Sequence, residues 1–276
     1  MPDLHIDLPD QLMAALHERA TRTGETTEEI ILSALADTLE VEHPTLFQVS
    51  TATALTQGVF DGAVTIQQLK EHGDFGLGTF DGLDGEMIAL EGVFYRANAG
   101  GNVAVADDRA LAPFAVITEF PAAPPFTLPT IASFAGLTAH LDRHRPSDNL
   151  FYAVRLDGHF ARIKARSTAR QPEGTTLAQA AAGQSEFTFT DVEATLVGFW
   201  TPAYARTINV AGWHMHALTA DRQHGGHVLD VAGSNLTVRL AELTDVRLAM
   251  PDTAEFLEAD LTQDVSAQLA RAESDR

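Results

Sequence analysis

The chain has 276 residues and no cysteine, and its formal net charge at pH 7 is −20. The length fits one large domain with a small one, and a hydrophobic content of 45% supports a real core. Nucleic acid and anionic membranes are disfavoured as main partners, because both repel an acidic surface. Without cysteine there is no disulfide, thiolate nucleophile or sulfur-ligated metal, so any metal must be bound by histidine, carboxylate or water.

Targeting and membrane signals are missing from the sequence pattern. The N-terminus lacks the basic region followed by an apolar region that defines a secretory signal. No uninterrupted apolar stretch approaches the roughly 20 residues that cross a bilayer. We therefore expect a cytoplasmic enzyme without a membrane segment.

The first part of the chain predicts a strand followed by two helices. Apolar and polar residues alternate over residues 3–8, as in a short half-buried strand. Pro9 is a favourable first residue for a helix, and Gly24 is a favourable residue for its end. Thr26 and Glu29 form a capping-box pattern for a second helix. This order of elements differs from the pattern in the rest of the chain.

The order strand, helix, turn, helix resembles the ribbon-helix-helix fold. That fold is a dimer whose paired strands enter the DNA major groove in repressors. We therefore predict a dimerisation module over residues 1–43. DNA binding is not expected, because the outward ribbon positions would be Asp3, His5 and Asp7, and carboxylates there oppose phosphate binding. A helical appendage without a dimerising role is the alternative.

Residues 44–276 predict one α/β (α+β) domain that is rich in strands. Apolar runs bounded by Gly, Pro or Asp indicate strands at 87–90, 114–117 and 150–154. Helical patterns occur at 65–71, 131–141, 176–182 and 259–273. Two prolines in residues 122–125 form a stiff break, which we expect to divide a mixed-sheet body into two lobes.

Three histidines indicate a metal site. His214 and His216 are two residues apart, so on a strand both imidazoles point to the same face. Gly225 and Gly226 mark a turn or a close backbone approach, which would let a second strand deliver His227 beside them. Three neutral imidazoles with an open fourth position are typical of a catalytic zinc site. The alternative is that surface or core histidines lie close together by chance.

Several blocks of the sequence together resemble the α-acetolactate decarboxylase family. They keep their order and rough spacing from Leu46 to near the C-terminus. The blocks read GVFDG (58–62), HGDFGLGTF (72–80), LDGE (83–86), FYAVR (151–155), RQ (170–171), GFWTP (198–202) and GWHMH (212–216). One departure is Trp213, where family members often have a smaller aromatic residue.

This resemblance implies a zinc-dependent homodimer acting on a small molecule. The implied reaction converts 2-acetolactate to acetoin and carbon dioxide through a metal-stabilised enediolate. The implied metal ligands are His214, His216 and His227. The other implied site residues are Glu86, Arg166 and Glu273.

The residue types suit this chemistry. Arg166 can orient the substrate carboxylate through a bidentate fork. A guanidinium is a poor acid at neutral pH, so a carboxylic acid or a metal-bound water is the expected proton source, with Glu86 and Glu273 as candidates. Two assignments stay open at this point, because Arg162 lies close to Arg166 and Glu258 competes with the C-terminal glutamate.

Two other functions remain alternatives. A cupin-like or other His-ligated metalloenzyme would add a carboxylate to the metal ligands and bind iron instead of zinc. A ligand-sensing regulator would bind acetolactate in the body and DNA through the N-terminal module. The acidic ribbon argues against the regulator, and a DNA-binding assay at low salt would decide between them.

Overall fold

The computed structural model describes residues 8–23, 27, 30–31, 34–35, 44–263, 265 and 268–269. The chain divides into two compact units, residues 1–43 and 44–276. In the first unit, helix α1 spans Asp10–Thr23 and begins directly after Pro9, as predicted. Residues 1–7, which carry most of the predicted strand, lie outside the described residues, as do Thr26 and Glu29. The ribbon-helix-helix module therefore stays a prediction.

The second unit is a strand-rich mixture of β-strands and short helices. Its helices are α2 (Ala52–Thr56), α3 (Ile66–Lys70), α4 (Phe134–Asp142), α5 (Leu177–Ala182) and α6 (Ala254–Glu258). Its strands are β1 (Thr45–Val49), β2 (Val64–Thr65), β3 (Phe75–Thr79), β4 (Glu86–Leu90), β5 (Val93–Ala97), β6 (Val103–Val105), β7 (Leu111–Ala112), β8 (Ala115–Thr118), β9 (Phe126–Leu128), β10 (Phe151–Ser167), β11 (Ser185–Thr201), β12 (Gly212–Thr219), β13 (Gly225–Gly233), β14 (Leu236–Leu243) and β15 (Asp245–Ala249). No helix among the described residues is long and apolar enough to cross a membrane.

Seven strands form a mixed sheet in the order β15-β1-β8-β3-β4-β5-β6. Strands β1 and β15 are parallel, and the other neighbours in this sheet are antiparallel. Both faces are covered, so all four residues of β8 are buried. On one face, Val116 packs in a hydrophobic cluster that also contains residues of the second sheet. On the other face, Ala115 and Ile117 pack in a separate cluster with Leu69 of α3. Continuous apolar runs such as β8 are what a sheet buried on both faces requires.

The second sheet has the order β11-β12-β13-β10-β14-β9 and closes partly on itself. Strands β10 and β11 are both 17 residues long and pair along almost their whole length. Strand β11 also pairs with β12, β12 pairs with β13, and β13 pairs with the second half of β10. These four strands therefore form a closed ring, and the metal-site histidines lie on two of them.

Three of the predicted helices and the predicted break agree with this architecture. Helices α3, α4 and α5 fall within or beside the three helical patterns that precede the histidine segment. The proline pair near residue 124 lies between β8, in the first sheet, and β9, in the second. The return of β15 to the first sheet was not foreseen. A 200-residue separation between β1 and β15 leaves no local signal of their pairing.

The helix predicted over residues 259–273 is wrong in its described first part. Helix α6 ends at Glu258, and Ala259 is extended with a ψ of 140°. The Asp260 carboxylate then accepts hydrogen bonds from the backbone N–H and the hydroxyl of Thr262 at 3.1 and 2.6 Å. Such side-chain turns compete with a helical backbone. Most of the remaining range lies outside the described residues.

Candidate metal centre

The three predicted histidines come together on neighbouring strands. His214 and His216 lie on β12, and His216 is the direct cross-strand partner of His227 on β13. Met215, between the first two, is fully buried in the core of the second sheet. The alternation of β12 therefore directs one face to the core and the other to a cavity that all three histidines line.

Two glycines allow β13 to approach its neighbours this closely. A Cβ atom on Gly225 would lie 2.6 Å from the carbonyl oxygen of Ala217. A Cβ atom on Gly226, which has a φ of 154°, would lie 2.7 Å from the carbonyl oxygen of Arg166. The close backbone approach predicted from this dipeptide is thus confirmed, and it places His227 against both β12 and β10.

The imidazole nitrogen atoms are spaced as metal ligands. One ligand atom from each histidine lies within 4.8 Å of the others. His214 Nε2 and His227 Nδ1 are 3.1 Å apart. Two nitrogen ligands of one tetrahedral zinc are about 3.3 Å apart, given zinc–nitrogen bonds of roughly 2.0–2.1 Å. The donor set therefore fits a divalent metal ion that prefers imidazole nitrogen.

The orientation of His216 is set by the backbone of β4. Its Nδ1 lies 2.7 Å from the carbonyl oxygen of Met87. A carbonyl can only accept, so Nδ1 carries the proton and Nε2 presents its lone pair to the cavity. Metal-binding histidines commonly donate their second N–H in this way, which fixes both tautomer and ring orientation.

Burial favours the neutral form of His214 in the ligand group. His216 and His227 are 1% and 3% exposed. Burial, and to a lesser extent the positive charge of Arg166, lower the pKa of His214 to about 3. An imidazole must be unprotonated to bind a metal. His214 is therefore ready to bind a cation at neutral pH without first releasing a proton.

Glu86 lies beside the histidines. It is the first residue of β4, its side chain is 13% exposed, and its Oε2 is 3.5 Å from His216 Nε2. The preceding Gly85 has a φ of 94°, and its carbonyl oxygen accepts a hydrogen bond from the Thr79 hydroxyl at 2.8 Å. This turn directs the Glu86 carboxylate into the cavity, where a carboxylate can bind the metal or exchange a proton.

Of the two candidate arginines, Arg166 is the one in the cavity. It lies on β10 as the cross-strand partner of His227 and is 5% exposed. Arg162 has a side chain that is 39% exposed and pairs with Asp230 at 2.6 Å. Asp230 also accepts from the backbone N–H of Phe134 at 2.7 Å. Its carboxylate thus contacts Arg162 and the first residue of α4.

Glu273 lies outside the described residues, and its competitor Glu258 does not line the histidine cavity. Glu258 is exposed and borders a separate surface pocket with Glu255 and Arg170. Leu269, four residues before Glu273, is 4% exposed and belongs to the cluster that contains Leu55 and Leu177 of the cavity wall.

Residues close to the histidines in sequence serve the surrounding structure. The Trp213 indole N–H donates to Asp142 at 2.8 Å, and its side chain packs in the core of the second sheet. His224 is partly buried, and its ring lies 5.5 Å from that of Phe189, outside the ligand group.

Sequence reasoning missed several residues around the cavity. The apolar wall consists of Ala52, Leu55, Leu83, Phe114, Leu177, Ala181 and Val210. Thr79 and Thr168 are the hydroxyl groups of the lining. Gln184 accepts a hydrogen bond from Arg166 at 2.8 Å. Thr79 and Leu83 lie in blocks that carried the family resemblance, which was a usable signal, whereas Gln184 and the rest of the apolar wall have no local pattern that marks them.

Comparison with known proteins gives one consistent result. A family model described as alpha-acetolactate decarboxylase matches residues 46–263. A Methanosarcina mazei protein named alpha-acetolactate decarboxylase is 43% identical over 229 residues, which cover 83% of this chain and 80% of that protein. The protein of the same name from Brevibacillus brevis is 39% identical over 232 residues, covering 84% and 81%. The crystal structure of alpha-acetolactate decarboxylase from Bacillus subtilis strain 168 matches with a TM-score of 0.80 at 34% identity, covering 83% of this chain and 98% of that one. The chain belongs to the alpha-acetolactate decarboxylase family.

Proposed function

We propose that this chain is a zinc-dependent carboxy-lyase that converts 2-acetolactate to acetoin and carbon dioxide. The buried histidine triad beside Arg166 carries the proposal, in a chain whose family is named for this substrate and reaction. Zinc is proposed because three neutral imidazoles are its usual ligands in catalytic sites with an open position.

The reaction requires a group that stabilises the electron pair left behind when carbon dioxide departs. The bond between the carboxylate and the adjacent carbon breaks, carbon dioxide leaves, and the bonding electrons move toward the neighbouring ketone oxygen. A proton is then added to carbon to give acetoin. A divalent ion, when bound, supplies a Lewis acid for the negative charge that develops on that oxygen. The sequence contains no motif that demands an organic cofactor for this purpose.

The protein groups bind and orient. The Met87 carbonyl holds the His216 ring in place, and neutral imidazoles do not reduce the positive charge of a bound ion. Arg166 can hold the substrate carboxylate through two parallel N–H bonds before carbon dioxide leaves. The apolar wall formed by Leu55, Phe114 and Leu177 excludes water, and a low dielectric strengthens the electrostatic interactions in the cavity.

Proton delivery is assigned to carboxyl groups. Glu86 lies next to His216 and is the first candidate for adding the proton to carbon. Glu273 is proposed as a second proton-donating carboxyl group, because Leu269, four residues before it, is buried in the hydrophobic cluster that contributes to the cavity wall. Arg166 is not the acid, because a guanidinium retains its proton at neutral pH.

The test is acetoin formation from racemic 2-acetolactate by purified protein. Activity should disappear when a chelator strips the metal and return when zinc is restored. Replacing His214 and His216 with alanine should abolish both bound metal, measured by plasma mass spectrometry, and acetoin formation. His224→Ala, in the same sequence segment but outside the ligand group, is the control that should retain both.

Other outcomes would favour other functions. One zinc per chain without acetoin formation would overturn the reaction and favour the regulator. Activity restored by iron and not by zinc would overturn the choice of metal and favour another His-ligated metalloenzyme.

A further inference from the structure

We propose that Gln184 is a positioning residue for Arg166, which aims the guanidinium at the substrate carboxylate. The inference rests on the proposed function, in which Arg166 binds that carboxylate. Gln184 lies between α5, which supplies Leu177 and Ala181 to the cavity wall, and the first residue of β11. It does not line the cavity itself, so it acts through Arg166.

The hydrogen bonds determine which way the Gln184 amide points. Arg166 Nη1 donates to Gln184 Oε1 at 2.8 Å, and Gln184 Nε2 donates to Glu186 Oε1 at 3.1 Å. A guanidinium can only donate and a carboxylate can only accept, so the amide fits between them in one orientation. The other carboxylate oxygen of Glu186 is 3.0 Å from Lys164 Nζ.

Strand pairing supports this chain of contacts. Arg166 on β10 is the direct partner of Glu186 on β11, and Lys164 is two residues before Arg166 on the same strand. Directly opposed side chains lie on the same face of a sheet, as do residues two apart. The contacts thus run from the partly exposed ion pair between Lys164 and Glu186 to the buried Arg166. The neutral Gln184 connects the two.

The neutrality of Gln184 matters for an anionic substrate. An amide oxygen takes one N–H of Arg166 without cancelling its positive charge. A glutamate of nearly the same shape would form a charge-assisted hydrogen bond with Arg166 through the oxygen that replaces Gln184 Oε1, and its negative charge would compete with the substrate carboxylate. The competition would be strong because the guanidinium is buried, where charges interact more strongly than in water.

The first measurement is steady-state kinetics of the zinc-loaded Gln184→Glu and Gln184→Ala enzymes. Gln184→Glu should raise KM by roughly 10- to 100-fold, as expected for lost hydrogen bonds to a charged group. Gln184→Ala should raise KM by less, because it removes the positioning contact without adding a competitor. In both variants kcat should change far less than KM. Gln67→Glu, which adds the same charge on the exposed face of α3, is the control and should match the wild type.

The second measurement uses calorimetric binding instead of turnover. The probes are 2-hydroxy-2-methylpropanoate and its neutral amide, which differ at the carboxylate and cannot undergo the reaction. Gln184→Glu should weaken binding of the carboxylate and leave binding of the amide unchanged. Glu186→Gln, which relaxes the contact that fixes the amide, should produce a smaller change in the same direction.

The outcomes separate this inference from the proposed function. Wild-type affinity for the carboxylate probe in both Gln184 variants, with affinity lost in Arg166→Lys, would overturn the role of Gln184 alone. Unchanged affinity in Arg166→Lys would overturn the carboxylate-binding role of Arg166 and the positioning role with it. Weakened probe binding in Gln184→Glu, in a protein that forms no acetoin, would support the positioning role while the proposed reaction fails.

Discussion

The ring of His72 stacks on Phe47, with centroids 3.6 Å apart, at a site away from the metal centre. Burial lowers the pKa of His72, and the positive charge of Arg247 lowers it further against an opposing effect of Glu71. The folded protein therefore binds fewer protons than the unfolded chain between that lowered pKa and about 6.5. Stability conferred by the neutral ring is complete above this interval and is lost as the pH falls through it.

We predict that His72→Phe reduces the loss of stability in acid. The phenyl ring keeps an aromatic contact with Phe47 but cannot bind a proton. The free energy of unfolding, measured by urea denaturation at pH 7.5 and at pH 5, should fall less in the variant than in the wild type. The same decrease in both proteins would contradict this assignment.

Strand β13 depends on the small size of its second residue. A Cβ atom on Gly226 would meet the Arg166 carbonyl oxygen at 2.7 Å and the ring of Phe187 at 3.0 Å. Since both neighbours are packed, an added methyl group must shift β13 away from β10. His227 is the next residue on the strand, so it would move with the backbone.

We predict that Gly226→Ala weakens zinc binding as well as stability. The expected loss in zinc affinity is roughly 10- to 100-fold, the range for disturbed support of metal ligands. Overpacking should cost about 1–3 kcal/mol in the free energy of unfolding. Gly212→Ala is the matched control, because Gly212 on β12 also has a positive φ but nothing lies within 4 Å of its Cβ position. It should lose stability to backbone strain and keep zinc affinity, measured by competition with a chromophoric chelator.

Local elements were predictable from sequence because their signals lie within a few residues. Thr65 with Gln68 and Thr176 with Gln179 form capping boxes at α3 and α5. The spacing of His214 and His216 likewise fixes their shared face on any strand. Such patterns need no knowledge of the rest of the fold.

Long-range placement was not predictable in the same way. The carbonyl of Met87 orients His216 across a separation of 129 residues. Gln184 reaches Arg166 because β10 and β11 pair in one register among many that their sequences would allow. The two arginine candidates differ in burial, which depends on that register and on the neighbouring strand β13. The family resemblance matched Arg166, but its sequence neighbour Arg162 left that assignment open.

On the scale of the whole molecule, the family match begins at Leu46, after the first unit. We predict that residues 44–276 alone form acetoin with the kcat and KM of the full chain. Lost activity in a folded truncated protein would contradict this separation. Acetoin assays on the two proteins, each with measured zinc content, decide the question.

The assembly state is a separate proposal. We propose that residues 44–276 form a homodimer, and that residues 1–43 add a second dimerisation contact without binding DNA. Two independent contacts would allow tetramers or chains. Light scattering should then give a larger mass for the full chain than for residues 44–276. Equal masses would argue against a dimerising role of the first unit. A shift of duplex DNA at low salt would contradict the expectation that this unit does not bind DNA.

The parallel pairing of β1 with β15 has a consequence for synthesis on the ribosome. Residues 45–49 emerge early, yet the strand that covers their outer edge spans residues 245–249. Until residues 245–249 have been synthesised, β1, with its buried Leu46 and Val49, presents an open and apolar edge to other nascent chains. Pairing across so many residues is also slow to form. Early translational arrest should therefore leave a species that chaperones bind and that aggregates readily, although the finished sheet protects the same strand.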